Sequence, residues 1–405
     1  MSTDRPGERE PQTTGRSVIV FSDDVRGDRD AIAAALQSLS GVSSVVSSAD
    51  YRAGGVDLDA LGDDEAIAFE TLGIAVVALD PGRLAASVAS AGDTQSAIVA
   101  VEPERVMHAI EAEQPPAETA RFVDDEAFTW GLRATGADAT GATGRGIRVA
   151  VLDTGFDLEH PDFAGRSITS ESFIAGAPAQ DGHGHGTHCI GTACGPAEPD
   201  TGRRYGVASE AEIFAGKVLS DAGSGSDAGI LAGIEWAITN GCQIISMSLG
   251  ADVPEVSTAY ETVGRRALEA DCLIIAAAGN NARRSSGDPG FVGRPANSPS
   301  IMAVAALDAD LEIAEFSAAS NPVPGGQIDI AGPGVAVYSS WPMPRRNHTI
   351  SGTSMATPHV AGLAALWSQQ GGETAQELWD ALLDAARELE LPAADAGAGI
   401  AQAPD

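Results

Sequence analysis

The length, composition and charge of the chain exclude several classes of protein. Its 405 residues exceed one average domain and suffice for a large core, and no stretch approaches the length of a membrane span. The 57 Asp and Glu residues outnumber the 24 Lys and Arg residues, giving a formal charge of −33. Nucleic acid and anionic membranes need a basic surface, so neither is expected as a partner.

The acidic residues are spread along the chain, and Lys217 is the only lysine. A dispersed acidic surface suits concentrated salt, where the Debye length falls to ~3 Å and self-repulsion is screened. We therefore expect a halophilic source, with a GC-rich genome that favours Arg and Ala codons as the alternative. Full folding and activity at low salt would contradict the halophilic interpretation.

The N-terminal quarter predicts a small α+β domain. Residues 1–15 are polar and predict disorder, and the absence of an apolar signal-peptide core favours a cytoplasmic protein, with secretion as the alternative. Residues 16–110 predict the order strand, helix, strand, strand, helix, strand, which is ferredoxin-like. The segments that carry this prediction are 17–21, 28–39, 66–79, 81–91 and 96–101.

The remainder predicts a linker followed by a large α/β domain. Residues 111–125 are acidic and Pro-rich and predict a linker. In residues 126–405, near-continuous apolar strands alternate with helical stretches, which predicts a doubly wound, mostly parallel sheet covered on both faces. In such sheets, sites form beyond the carboxyl ends of the strands. The strands are predicted at 147–152, 213–218, 244–247, 273–277 and 301–305, and helices at 230–239 and 257–270.

Four cysteines are present: Cys189, Cys194, Cys242 and Cys272. We interpret them as reduced, mostly buried thiols. A disulfide between Cys242 and Cys272 is the alternative, because each opens an apolar run that fits one of two neighbouring strands.

Three separated segments carry an acid, a base and a nucleophile. Asp153 ends the run Val151-Leu152-Asp153, His185 lies in a segment rich in glycine and histidine, and Ser354 lies in Gly352-Thr353-Ser354. A serine hydroxyl is a poor nucleophile unless a base, held by a third group, takes its proton. With Thr353 as N-cap, Ser354 would lie at a helix N-terminus, whose free N–H groups favour developing negative charge.

A metal site is the competing interpretation of the histidine segment. His183, His185 and His188 are spaced two and three residues apart, which suits metal ligands. A zinc site would leave Asp153 and the serine segment unexplained. We therefore take His185 as the base and expect structural roles for His183 and His188.

These segments resemble those of the subtilisin-like serine proteases, or subtilases, from about residue 128 to residue 402. The resemblance implies that Asp153 orients His185, that His185 acts as general base and then general acid, and that Ser354 attacks the peptide carbonyl. It also implies that Asn280 and the Ser354 backbone N–H form the oxyanion hole. The expected function is a serine endopeptidase, and the alternative is a catalytically silent subtilase scaffold that binds peptides.

The resemblance also implies contacts with the substrate and with calcium. The segments that match the family's substrate-binding segments contain no acidic residue. This predicts that the specificity pocket accepts apolar side chains or a broad range of side chains. No cofactor is required; calcium at Asp162 stays open, because residues 195–205 do not reproduce the family's ligand-bearing loop. Pairing with an extended peptide, or the wall of the specificity pocket, is expected at Gly223, Ser224, Gly225, Ser248, Leu249, Gly250, Ala277, Ala278, Gly279 and Gly293.

Residues 16–110 resemble the inhibitory propeptide of that family. The resemblance implies that residues 97–110 lie in the substrate cleft and that this domain assists folding of the large domain, whose non-local contacts form slowly. The expected partners are protein or peptide substrates and the chain's own N-terminal domain, in a self-inhibited precursor. A permanent accessory domain is the alternative.

Overall fold

The computed structural model describes residues 12–39, 41–51, 62, 64–79, 81–82, 84, 97–112, 120–322 and 325–405. Within these ranges, no helix combines the length and the apolar character needed to cross a membrane. Most of the predicted helix 81–91 and residues 113–119 of the predicted linker 111–125 lie outside the described residues. The predicted disorder over 1–15 is wrong at its end, because the first strand begins at Thr13.

The N-terminal part is a sheet with a ferredoxin-like core. The sheet order is β5-β1-β4-β3-β2, and the short edge strand β2 pairs in parallel with β3 while the other neighbours are antiparallel. The predicted extended run 66–79 is a hairpin, because Gly73 takes a φ of +57° and turns the chain. The elements are β1 (Thr13–Phe21), α1 (Arg29–Gln37), β2 (Ser44–Ser47), β3 (Glu65–Phe69), β4 (Ile74–Val77) and β5 (Ile98–Ala109).

Both faces of this sheet are buried, in two different cores. Ile19 and Phe21 point to the face covered by α1, where they pack in a small core with Ile32 and Leu36. The alternate residues Val18, Val20, Ile67, Phe69, Ile74 and Val76 belong to the large core that continues into the rest of the chain. Because neighbouring side chains of a strand point to opposite faces, one apolar run supplies both cores.

The remaining chain forms a doubly wound α/β domain, which confirms the predicted fold class. Its sheet has the order β14-β13-β12-β10-β6-β8-β7, and every pair of neighbours is parallel. A hairpin of β15 and β16 lies outside it. The strands are β6 (Arg148–Asp153), β7 (Ile168–Ser172), β8 (Glu212–Lys217), β9 (Ser224–Ser226), β10 (Ile244–Met247), β11 (Leu249–Gly250), β12 (Leu273–Ala277), β13 (Met302–Leu307), β14 (Ile330–Pro333), β15 (Val337–Ser340) and β16 (Asn347–Ile350).

The helices of this domain bury the sheet and carry the N-terminal part. The first residues of α3 and α6 point toward the carboxyl edge of the sheet, whereas α4 and α5 contact the N-terminal sheet. The helices are α2 (Trp130–Thr135), α3 (His185–Cys194), α4 (Asp227–Thr239), α5 (Thr258–Glu269), α6 (Thr353–Gly371), α7 (Ala375–Asp384) and α8 (Ala393–Ala396).

Two carboxylates of β5 cap the helices on which the N-terminal sheet lies. Glu104 accepts a hydrogen bond from the Ala228 N–H at the start of α4, at 3.1 Å. Glu102 accepts from the Thr258 N–H at 2.5 Å and from the Ser257 hydroxyl at 2.6 Å at the start of α5. Unpaired N–H groups and the helix dipole favour negative charge at these positions, so both contacts stabilise the docked arrangement.

Candidate active site

The site lies at the carboxyl edge of the parallel sheet. Asp153 is the last residue of the interior strand β6, and Asn280 lies three residues after β12, which is separated from β6 by β10. His185 is the first residue of α3, and Ser354 is the second residue of α6. The fold therefore brings together four residues that lie far apart in the sequence.

Asp153 and His185 form a buried hydrogen-bonded pair. His185 Nδ1 lies 2.8 Å from Asp153 Oδ1, and both side chains are fully buried. Burial alone lowers the pKa of His185, but the charge of Asp153 raises that pKa well above its ordinary value. His185 Nε2 is buried without a hydrogen-bond partner among the described residues. The pair thus presents one ring nitrogen to whatever occupies the cleft.

The neighbouring histidines have other partners. His188 Nε2 lies 3.0 Å from the Val337 carbonyl, and burial lowers the pKa of His188 to about 3, so it is a neutral donor. His183 Nδ1 accepts a long hydrogen bond of 3.4 Å from the His185 N–H. Neither contacts Asp153, which agrees with the structural roles expected for them.

Asp181, which we did not single out from the sequence, holds the histidine loop. Its carboxylate accepts five hydrogen bonds, all between 2.7 and 3.0 Å, from the Thr154 hydroxyl, from the N–H groups of His183 and Gly184, and from the N–H and hydroxyl of Thr187. It thereby ties the start of α3 to the residue that follows Asp153. A carboxylate preceding a Gly-rich helix start is the signal that could have indicated it.

Gly184 is needed for its conformation and for its size. It precedes α3 with a φ of +113°, and an added Cβ would lie 2.3 Å from the Trp341 ring. Trp341 therefore packs directly on the loop that positions His185.

The single lysine lies beneath the acid. Lys217, 1% exposed at the end of β8, donates to the Thr154 carbonyl and, at 2.6 Å, to Asp221. Its ammonium therefore fixes the turn that follows Asp153. No pattern in the sequence indicates this role, because one lysine in an acidic chain looks like a surface residue.

Ser354 is locked to the strand connection between β10 and β11. Its hydroxyl donates to the Ser248 carbonyl at 3.0 Å, and the Ser248 hydroxyl donates to the Ser354 carbonyl at 2.8 Å. Ser248 is fully buried, and its side chain holds the backbone of Ser354. Ser354 carries its hydroxyl at the N-terminal turn of α6, where the helix N–H groups are free.

Asn280 points an amide donor into the cleft. Its Oδ1 accepts from the Thr353 N–H at 3.0 Å and from the Thr353 hydroxyl at 2.9 Å. Its Nδ2 is buried without a hydrogen-bond partner within the described ranges. Our assignment of Thr353 as N-cap is wrong: Gly352 is the N-cap, and the Thr353 hydroxyl orients Asn280.

The last part of β5 lies in the cleft as an added strand. Residues 106–108 pair antiparallel with β9, and His108 and Ala109 pair antiparallel with β11. The Ala109 N–H also donates to the Gly223 carbonyl at 2.9 Å. Five of the ten residues expected at the substrate cleft thus flank an extended segment of this chain: Gly223, Ser224, Gly225, Leu249 and Gly250.

The remaining expected residues lie beside one another near this strand. The Gly293 N–H donates to the Ala278 carbonyl at 2.9 Å, which joins the segment Ala277, Ala278 and Gly279 to Gly293. The neighbouring Arg294 is not an exposed arginine: it is 5% exposed and its guanidinium lies 3.5 Å from Glu102 of β5.

The candidate metal ligands of the described residues do not form an ion site. One group converges, with ligand atoms of Asp153, His185 and Cys189 within 4.8 Å of one another. The direct Asp153–His185 hydrogen bond leaves no place for an ion between them. Burial raises the pKa of the Cys189 thiol, so it stays protonated. All four cysteines are buried and unpaired, so the Cys242–Cys272 disulfide does not form.

Asp162 does not fit a calcium site in this arrangement. Its Oδ1 accepts from Arg346 at 2.6 Å and its Oδ2 accepts from the Tyr205 hydroxyl at 2.7 Å. Arg346 also lies 3.0 Å from Asp200. Calcium takes six to eight oxygen ligands, whereas here a guanidinium occupies the position that a cation would need.

A buried acid–histidine pair, a serine at a helix N-terminus and a strand-binding groove on a parallel sheet together define a site of the Ser-His-Asp class. Residues 144–400 match the subtilase family, and the chain belongs to that family. Subtilisin E of Bacillus subtilis is 42% identical over 235 residues, which is 58% of each chain. Subtilisin DY of Bacillus licheniformis is 39% identical over 236 residues, covering 58% of this chain and 81% of that protein.

M-protease of Shouchella clausii is 41% identical over 249 residues, 60% of each chain. The match thus spans less than two thirds of the length of Subtilisin E and of M-protease.

The contacts of Asp162 predict that an arginine, and not a metal, stabilises this region. Arg346→Gln leaves a buried carboxylate without its cation and should lower the free energy of unfolding by about 2 kcal/mol. The neighbouring Arg345→Gln, which removes no ion pair with a described carboxylate, should change it by less than about 0.5 kcal/mol. Both are measured by denaturant unfolding in a Ser354→Ala background, which lacks the candidate nucleophile.

EDTA should leave the unfolding midpoint of the Ser354→Ala chain unchanged in the same assay. A lower midpoint in EDTA, restored by calcium, would contradict the replacement of a metal by Arg346.

Proposed function

We propose that this chain is a serine endopeptidase that hydrolyses peptide bonds through Asp153, His185 and Ser354. His185 Nε2 takes the proton of the Ser354 hydroxyl as that oxygen attacks the peptide carbonyl, and then gives the proton to the leaving amine. Asp153 holds the imidazole and stabilises its charged form. The observation that carries the proposal is the buried Asp153–His185 hydrogen bond, with Nε2 left open toward the cleft.

The proposed oxyanion hole consists of Asn280 Nδ2 and the Ser354 backbone N–H. A Cβ added to Gly352 would lie 2.8 Å from the Ile110 carbonyl oxygen and 3.1 Å from Asn280 Nδ2. Only a glycine at position 352 therefore leaves room for both atoms. The Ile110 carbonyl belongs to the strand in the cleft. Donors aimed at developing negative charge stabilise the transition state more than the ground state.

The same contact supports a self-inhibited precursor, cleaved at Ile110–Glu111. The Ile110 carbonyl and Asn280 Nδ2 both lie close to Gly352, and the Ala112 N–H beyond Ile110 donates to the Ser351 carbonyl at 2.8 Å. The chain therefore runs through the site on both sides of the Ile110–Glu111 bond. The Ile110 side chain lies against Gly250, which agrees with the apolar preference expected from the sequence. Until it is released, β5 excludes other substrates.

A catalytically silent scaffold is disfavoured by two buried polar atoms of the site that have no hydrogen-bond partner within the described ranges. Burying a polar atom without a partner costs about 1–3 kcal/mol. His185 Nε2 and Asn280 Nδ2 are both such atoms among the described residues. A peptide-binding scaffold gains nothing from them, whereas hydrolysis uses each one.

The proposal predicts that hydrolysis depends on the Ser354 hydroxyl. Ser354→Ala should reduce casein cleavage to background because the nucleophile is lost. The control is Ser368→Ala, a buried serine of the same helix fourteen residues further along, about 21 Å away, and it should keep parental activity. Casein cleavage by Ser354→Ala at the parental rate would overturn the assignment.

The proposal also predicts the pH dependence of activity. Activity requires neutral His185, so kcat/KM should rise with pH through a pKa above the ordinary histidine value of about 6.5. Asp153→Asn should lower kcat by about 10⁴-fold at neutral pH, because the ring tautomer is no longer held. It should also move the acid limb to lower pH, because the charge that raises the pKa is gone.

Asp384 is exposed, and Asp384→Asn is the matched control for the pH profile. It should leave both the acid limb of kcat/KM and the value of kcat unchanged. An acid limb that stays in place in Asp153→Asn would show that another group titrates.

A further inference from the structure

A side chain continues the pairing between β5 and β9 at the point where β9 ends. The last residue of β9, Ser226, pairs with Val106, and α4 begins at the next residue, Asp227. In an antiparallel ladder the following pair would join Arg105 to Asp227. Here the Arg105 N–H donates to the carboxylate, with Asp227 Oδ2 at 2.7 Å. The carboxylate thus takes the place of one further main-chain acceptor of β9.

The large domain itself holds the Asp227 carboxylate in place. Asp227 Oδ1 accepts from the Tyr260 hydroxyl of α5 at 2.8 Å, which leaves Oδ2 for the strand in the cleft. Asp227 and Tyr260 are both buried, at 2% and 1% exposed. Burial raises the pKa of Asp227 to about 6, so the carboxylate is ionised at neutral pH. Hydrogen bonds to a charged acceptor are stronger than bonds between neutral groups.

The two neighbouring N–H groups of β5 at this point have partners in different parts of the chain. Counted back from Ile110, Arg105 is the sixth residue before the proposed scissile bond, and its N–H contacts the large domain. The Val106 N–H points to the other edge of the strand and donates to the carbonyl of Gln12, which precedes β1, at 2.9 Å. A substrate strand that replaced β5 would keep the first contact and lose the second.

We propose that Asp227 binds the main chain of the substrate six residues before the scissile bond, so that the enzyme selects peptides with a free N–H at that residue. Proline has no N–H and is disfavoured there. The carboxylate extends recognition beyond the end of β9 without selecting a side chain. The inference rests on the proposed function, because it assigns a further substrate contact in that same cleft.

Three peptides made of the chain's residues 103–112 test this contact. One has amide bonds throughout, and each of the others carries one ester bond, in which oxygen replaces the N–H of Arg105 or of Val106. Each ester peptide competes with the amide peptide for the full-length protein, and liquid chromatography with mass spectrometry measures both products. The ratio of the two kcat/KM values does not depend on how much of the cleft β5 occupies.

We expect kcat/KM for the amide peptide to exceed that for the Arg105 ester by about ten to one hundred times, because the ester loses a hydrogen bond to a charged acceptor. The Val106 ester should be cleaved about as fast as the amide peptide, because the N–H that it lacks does not face the large domain. Both comparisons use the parent chain, so they do not depend on the folding of any variant.

Variants of the large domain show whether Asp227 is the group that responds. Asp227→Ala removes the acceptor and should reduce the amide preference at Arg105 to the value found at Val106. Tyr260→Phe should reduce that preference only in part, because the carboxylate remains but loses the donor that orients it. Asp384→Ala removes an exposed carboxylate at the end of α7 and should keep the parental preference.

Equal cleavage of the amide peptide and the Arg105 ester by the parent chain, or an amide preference that survives in Asp227→Ala, would overturn the contact and leave the endopeptidase function intact. Cleavage of none of the three peptides would overturn both.

Discussion

The arrangement of this protein depends on one strand that belongs to two sheets. The first part of β5 pairs with β1 inside the N-terminal sheet, and its last residues lie between β9 and β11 of the large domain. At about 3.3 Å per residue, its 12 residues extend roughly 40 Å, from the outer sheet toward Ser354. Because the backbone hydrogen bonds fix its register, they also fix which peptide bond reaches Ser354.

Electrostatic contacts hold this strand in place along its length. Glu102 and Glu104 cap two helices of the large domain, and the Arg105 N–H donates to Asp227 at 2.7 Å. Burial raises the pKa of Asp227 to about 6, so this carboxylate is held in an environment that disfavours its charge. Arg266, 4% exposed, reaches from α5 to the carbonyls of Leu72 and Phe21. The large domain thus uses backbone and charge together to bind its own N-terminal part.

Sequence patterns predicted the elements that follow a simple periodicity and missed contacts between distant charges. Buried parallel strands are continuous apolar runs, so the predicted strand that leads to Asp153 agrees with β6 within one residue at each end. No local pattern shows that Arg346 would meet Asp162, which lies 184 positions earlier. The roles of Lys217 and Asp181 were missed for the same reason, because they depend on contacts that exist only in the folded chain. The Thr353 N-cap was wrong because a tertiary partner, Asn280, took the hydroxyl.

In the proposed precursor, the strand in the cleft presents the Ile110–Glu111 bond to Ser354. The decisive measurement is the mass of the purified full-length chain, followed during incubation. We predict a new species that begins at Glu111 in the parent chain and no such species in Ser354→Ala. A first cut at another bond, or the same cut in Ser354→Ala, would contradict it.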